Sequence, residues 1–222
     1  MGVAKLRCIV LATLDKIELF DTYRNSILIK RPEWGLKETR FGEKKNMKKV
    51  IVFAGSNNSN SINKQLAIYA GSLVENAETV VLDLNDFELP IYSMDIERET
   101  GIPENAMRFL EALHGGDGII MSLAEYNGAY TSVFKNLFDW LSRAEQKNWL
   151  GKPMLLMATS PGARGGLTVL DIATSRFPRH DANIVGTFSL PNFNANFSDG
   201  KIVNTELDEA LKTQVKNFEN SL

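Results

Sequence analysis

The chain has 222 residues, 44% of them hydrophobic and 23% charged, and a formal net charge of −2. That balance fits one large globular domain or two small ones, with no basic excess for nucleic acid and no acidic excess for a strongly charged electron carrier. One cysteine, Cys8, rules out an internal disulfide, and two isolated histidines, His114 and His180, lack metal-ligand spacing.

Residues 1–46 read differently from the rest. Cys8 to Leu14 is a short apolar run behind Lys5 and Arg7, interrupted by Asp15 and followed by no small-residue cleavage site. From Lys30 to Asn46 the chain is charged and aperiodic. We expect the fold to begin at Met47 and residues 1–46 to be an appended or misassigned leader. No apolar run approaches the roughly 20 residues of a membrane span, so no membrane association is expected. A reducing, cytoplasmic compartment suits the lone cysteine.

Val50 to Phe53 is an unbroken apolar run, the pattern of a strand buried on both faces of a parallel sheet. Ala54-Gly55-Ser56 turns the chain, and every residue from Ser56 to Asn63 except Ile62 is Ser or Asn. A helix follows, with Ser61 as N-cap and an apolar stripe through Ile62, Leu66, Tyr69, Ala70, Leu73 and Val74. Strand, small polar loop and helix N-terminus together make a place for an anion, because first-turn N–H groups lack partners and the helix dipole favours negative charge.

A second strand is predicted over Thr79–Leu84, a Pro-containing connection over Asn85–Met94, and a helix over 103–113 with Pro103 near its start. Asp117–Leu123 reads as the third strand and Ala124–Tyr130 as a loop. Thr131–Arg143 reads as a helix with Phe134, Leu137, Phe138 and Leu141 on one stripe. Its Lys135/Asp139 and Asp139/Arg143 pairs sit four apart on a polar stripe. Trp140 is assigned to core or interface. Met154–Thr159 is the fourth strand, Ser160–Gly166 a glycine-rich loop before a fourth helix, Asn183–Leu190 the fifth strand and Glu206–Asn220 the last helix. His114 is placed at a helix end and His180 on a surface turn.

Five strand–helix alternations predict an α/β fold, a parallel sheet with helices on both faces. Ligands of such sheets bind at the carboxyl ends of the strands. Three unusual loops fall there: Gly55–Asn63, Ala124–Gly128 and Ser160–Gly166. Hydroxyls and N–H groups for a phosphate, an aromatic ring at Tyr126 and close backbone approach describe a mononucleotide-like ligand. No G-x-x-x-x-G-K-[ST], G-x-G-x-x-G or G-x-S-x-G occurs. No side-chain constellation for nucleophilic or metal catalysis is visible, so an organic cofactor must carry the chemistry.

From Met47 onward the chain resembles the NAD(P)H-dependent FMN reductases, flavodoxin-like enzymes that include azo-dye, quinone and chromate reductases. Gly55-Ser56-Asn57-Asn58-Ser59-Asn60-Ser61-Ile62-Asn63 resembles that family's G-S-x-R-x-x-S-x-N. Glu125-Tyr126-Asn127-Gly128, with Lys135-Asn136 and Asp139-Trp140-Leu141-Ser142-Arg143, resembles its P-E-Y-N-G and K-N-x-x-D-W-L-S-R. Ser160-Pro161-Gly162 through Gly165-Gly166 resembles its glycine-rich loop, and Leu89-Pro90-Ile91-Tyr92 its connection after strand two.

The resemblance implies a flavodoxin-like three-layer sandwich with five parallel strands in order 2-1-3-4-5. It implies FMN as cofactor and NADPH or NADH as co-substrate, with electrons passing to a flavin, quinone or azo acceptor. Ser56, Ser61, Ile62 and Asn63 would hold the phosphate, and Asn58 would stand beside it. Glu125, Tyr126, Asn127 and Gly128 would line the isoalloxazine, and Ser160, Gly162 and Gly165 would close the other side. Arg164 is the candidate for a nicotinamide phosphate. A homodimer or homotetramer is implied as well. Two departures stand out: Asn58 where the family often has Arg, and Ala124 where it usually has Pro. A second reading is a flavin-binding electron-transfer or redox-regulatory module without its own nicotinamide turnover.

Overall fold

The structure is a computed structural model that describes residues 47–222. The expected leader, residues 1–46, lies outside the described residues. Strand β1 (Lys48–Gly55) runs into helix α1 (Ile62–Ser72), and β2 (Ala77–Val81) follows. After a short 3-10 turn come α2 (Met94–Thr100), α3 (Glu104–His114) and β3 (Gly118–Leu123). A hairpin, β4 (Glu125–Tyr126) and β5 (Ala129–Tyr130), precedes α4 (Ser132–Ala144) and β6 (Pro153–Thr159). The chain ends with α5 (Leu167–Arg176), β7 (Asn183–Leu190), a short α6 (Phe193–Asn196), a hairpin of β8 (Phe197–Ser198) and β9 (Lys201–Ile202), and α7 (Thr205–Glu219).

The main sheet has the order β2-β1-β3-β6-β7, all parallel. Counting only its five strands, this is the expected 2-1-3-4-5 winding of a flavodoxin-like fold. The central strands β1, β3 and β6 are buried over nearly their whole length, which is why they read as continuous apolar runs. Each face of the sheet carries its own core. Ile51, Phe53, Ile119, Met121 and Leu156 pack against α3, α4 and α5 through Phe109, Phe134, Leu141 and Val169. Val50, Val52, Ile120, Leu155 and Met157 pack against α1 and α7 through Leu66, Ala70, Leu211 and Phe218.

Several expectations shift. β2 lies two to three residues earlier than predicted: the Leu82 N–H still bonds the Val52 carbonyl at 2.8 Å, but the chain then leaves the sheet into a 3-10 turn that buries Leu84. The 85–94 connection leads into a helix that apolar periodicity could not reveal, since α2 has no buried residue. Its local signals are the N-cap Ser93, which accepts the Ile96 N–H, and acidic Asp95 and Glu97 in the first turn. The predicted stripe of α1 packs on the core, Leu66 and Ala70 fully buried and Ile62, Tyr69, Leu73 and Val74 partly so, and Asn63, Ala67 and Gly71 are buried beside it. His180 is buried rather than on the surface, with Nδ1 2.9 Å from the Gln146 carbonyl and its ring edge-on to Phe138. Among the described residues no helix is long and apolar enough to cross a membrane.

Candidate active site

The end of β1 releases the chain into a loop that holds itself. Ser56 Oγ accepts the Asn58 N–H at 3.2 Å, and Asn58 Oδ1 accepts the Asn60 N–H at 2.8 Å. The Ser61 N–H returns to the Asn58 carbonyl at 3.0 Å. Ser61 then caps α1 as expected, its Oγ accepting the Lys64 N–H at 3.2 Å, while the Gln65 N–H bonds the Ser61 carbonyl. The N–H groups of Ile62 and Asn63 take no partner among the described residues. They are the free donors of the first turn, at the positive end of the helix where an anion is favoured.

The Ala124–Gly128 stretch is a hairpin and not the loop that was expected. Asn127 and Gly128 have φ of 53° and 73°, the left-handed pair that a two-residue turn between antiparallel strands requires. The Asn-Gly dipeptide was the available signal. The turn lifts Tyr126 out of the surface, leaving it 52% exposed. Glu125 points elsewhere: its Oε2 accepts the Val169 N–H at 3.0 Å, in the first turn of α5. That helix has Gly166 as N-cap and no side-chain cap of its own, so Glu125 supplies one from another element.

These segments enclose a cavity of about 270 Å³, lined by Ser56, Asn58, Asn60, Ser61, Ile62, Asn63, Ala124, Glu125, Tyr126, Thr159, Ser160 and Pro161. Eight of the twelve expected site residues meet here. Asn127 and Gly128 stay at the hairpin tip outside the lining. Gly162 is exposed, with its carbonyl accepting the N–H groups of Gly165 and Asn192. Gly165 is buried against the end of β7, where a Cβ would run into Ser189 Oγ and lie 2.9 Å from the Leu190 carbonyl carbon and Pro191 N. The glycine-rich loop therefore reaches the cavity through Ser160 and Pro161, while Gly165 serves close packing. Arg164 is exposed and donates to Thr168 Oγ1 at 3.3 Å.

The lining holds no lysine or arginine. Lys64, in the first turn of α1, is tied to Asp83, whose carboxyl is held below its usual value: burial opposes that shift, and hydrogen bonds from Lys64 and Asn85 outweigh burial. An anion in this cavity would meet neutral donors only, among them the Ile62 and Asn63 N–H groups, the hydroxyls of Ser56, Ser61 and Ser160 and the side-chain amides of Asn58 and Asn60.

A larger opening, about 490 Å³, lies across the same loop, lined by Asn57, Leu84, Phe87, Ile91, Val133 and Leu137 among others. None of the twelve expected residues lines it. One of its walls is the 89–92 connection, which α4 holds in place. Asn136 Oδ1 accepts the Tyr92 N–H at 2.8 Å, and Trp140 Nε1 donates to the Pro90 carbonyl at 2.8 Å. Arg143 Nε lies 3.0 Å from Glu97, not paired with Asp139 as its spacing suggested, and it holds the Glu97 carboxyl below its usual range. Lys135 pairs with Asp139 at 2.7 Å as expected. The Asn136, Trp140 and Arg143 positions thus clamp a connection, a role that the helix sequence alone does not reveal.

Residues 48–195 match the model of the NADPH-dependent FMN reductases. The chain belongs to that family. A quinone reductase of Pseudomonas putida is 30% identical over 181 residues, covering 76% of this chain and 91% of that one. A quinone reductase of Escherichia coli K12 is 31% identical over 122 residues, 53% of this chain. That match spans 62% of the E. coli protein's length. Among solved structures, FerB of Paracoccus denitrificans, a flavoenzyme NAD(P)H:(acceptor) oxidoreductase, superposes with a TM-score of 0.63 at 26% identity. The alignment covers 78% of this chain and 96% of FerB. In this FMN reductase family member, the cavity between Ser56–Asn63 and Thr159–Pro161 gathers neutral hydrogen-bond donors at the N-terminus of α1, and Tyr126 lines its wall.

Proposed function

We propose that this chain is an NAD(P)H-dependent flavin oxidoreductase that binds FMN in the 270 Å³ cavity. Its electrons go on to a small-molecule acceptor of the quinone, azo or flavin type. The observation that carries the reading is the pair of free N–H groups at Ile62 and Asn63, opening beside the hydroxyls of Ser56 and Ser61. FMN bound there supplies the two-electron ring chemistry. The protein's part is to bind and orient: first-turn donors and hydroxyls take the phosphate, while Tyr126 and the backbone at Ala124, Glu125, Thr159 and Ser160 bound the ring. Family membership and the quinone reductase relatives support the same class.

The visible spectrum of the purified protein, repeated after adding FMN and desalting, tests this. Retained flavin that bleaches on adding NADPH or NADH supports the reductase. Retained flavin that does not bleach overturns nicotinamide turnover in favour of an electron-transfer or regulatory module.

A cytoplasmic homodimer or homotetramer completes the reading. The exposed apolar side chains of Ile91 (82%) and Met94 (64%), held up by the α4 clamp, support self-association through this face. Light scattering on the intact protein tests it. The domain boundary at Met47 is tested by expressing residues 47–222, which should stay soluble and folded.

A further inference from the structure

Among the residues expected to touch the cofactor, Asn63 is the most deeply committed elsewhere. Its side chain is 2% exposed. Oδ1 accepts the Thr159 N–H at 3.0 Å and the Ser122 hydroxyl at 2.7 Å. Nδ2 donates to the Thr159 carbonyl at 3.1 Å. Three of the amide's four hydrogen-bonding positions are used inside the protein. The partners are equally buried, Ser122 at the end of β3 and Thr159 at the end of β6, and Thr159 Oγ1 is itself bonded to the Leu190 carbonyl at 2.7 Å.

The amide thus reads one residue's N–H and C=O together, as a neighbouring strand would. Asparagine satisfies that pair because one end accepts and the other donates. Leucine offers neither, and a carboxylate offers two acceptors, one of them facing the Thr159 carbonyl. The bonds join two walls of the cavity. Asn63 lies in the first turn of α1, which presents the free N–H groups, and Thr159 leads directly into Ser160 and Pro161 opposite.

Resting on the FMN reading above, we propose that Asn63 is a positioning residue. Its side chain is a strut that sets the separation between the phosphate donors of α1 and the ring wall at the end of β6, and only its backbone N–H faces the phosphate. A side-chain phosphate ligand would matter to FMN alone. A strut matters to the fold without any flavin, and to riboflavin as well, which lacks the phosphate but rests on the ring wall that the strut holds at the end of β6.

The test is Asn63→Asp, with Asn63→Ala beside it, and three readouts: thermal unfolding without flavin, FMN binding and riboflavin binding, each at pH 5 and pH 8. Glu125 and Tyr126, the other titratable side chains lining the cavity, and the Lys64–Asp83 pair beside it are the same in every protein. Variant-to-wild-type ratios therefore isolate position 63. At pH 8 the aspartate variant should bind both flavins more weakly, FMN by about tenfold or more, with a lowered flavin-free unfolding temperature. At pH 5 the protonated side chain can donate to the Thr159 carbonyl as the amide does, and both ratios and the unfolding temperature should move back toward wild type. The alanine variant should lose in both flavins without recovery. Weakening confined to FMN with the flavin-free unfolding temperature unchanged overturns the strut in favour of a phosphate ligand, and unchanged binding of both flavins at pH 8 overturns it outright. If the wild type binds neither flavin, the FMN reading fails. The strut is then decided by the flavin-free unfolding temperature of the aspartate variant, which recovers at low pH if the strut is real and does not if it is not.

Discussion

Glu125 Oε2 sits 3.0 Å from the backbone N–H of Val169, so a residue of the β4–β5 hairpin caps the helix that follows the glycine-rich loop. Removing this cap with Glu125→Ala should lower stability by about 0.5–2 kcal/mol. Glu125→Gln keeps an oxygen in place and should cost less. Urea unfolding of the three proteins checks the order.

Asn58 stands where the family resemblance expects an arginine, and its own Oδ1 is spent on the Asn60 N–H. Asn58→Arg should tighten FMN by about 1–3 kcal/mol through a charge-assisted bond. The gain should shrink in high salt and be absent for riboflavin. Flavin fluorescence titrations at two salt concentrations decide it.

Asp117 accepts the Lys49 N–H at 2.9 Å and the Lys48 ammonium at 3.0 Å, tying the start of β3 to that of β1. The backbone bond first, and the ammonium next, hold its carboxyl below the usual 3.8. A carboxyl with a depressed folded pKa stabilises the fold above its unfolded pKa, and that contribution is lost as pH falls through the folded value. The stability gap between wild type and Asp117→Asn should therefore hold above about pH 4 and close below it. Denaturant midpoints across that range measure the gap.

Gly166 has φ of 78°, and a Cβ there would lie 2.9 Å from the Ala158 Cβ. Gly166→Ala should cost about 1–3 kcal/mol from backbone strain, with further loss from the clash. Thermal unfolding measures it.

Trp140 stacks edge-on to Tyr92 at 5.0 Å while its Nε1 bonds the Pro90 carbonyl. Trp140→Phe keeps the ring contact and loses the bond, at about 0.5–1.5 kcal/mol. If the clamp matters locally, amide exchange across residues 89–93 should quicken more than in β1 or β3.

The sheet was legible because strands buried on both faces read as near-continuous apolar runs, as Val50–Phe53, Ile119–Met121 and Met154–Ala158 do in an alternating chain. Helix α1 was legible by its cap, Ser61. The segment 93–100 was not, because a helix with no buried face leaves no periodic trace. The hairpin at Asn127-Gly128 had its signal in that dipeptide, and reading the stretch as a loop passed over it.

Sequence by itself determined the strands of the sheet and the three loops at its carboxyl edge, since these follow from apolar runs, caps and turn residues, all of them local; the winding order came only from the family resemblance. Only the tertiary structure decided what the polar side chains in those loops do. Asn63 and Glu125 match a cofactor-binding motif, yet one joins α1 to β3 and β6 and the other caps α5. A hydrogen bond between residues 96 apart in the chain depends on how strands and helices meet in space, which no spacing along the sequence records.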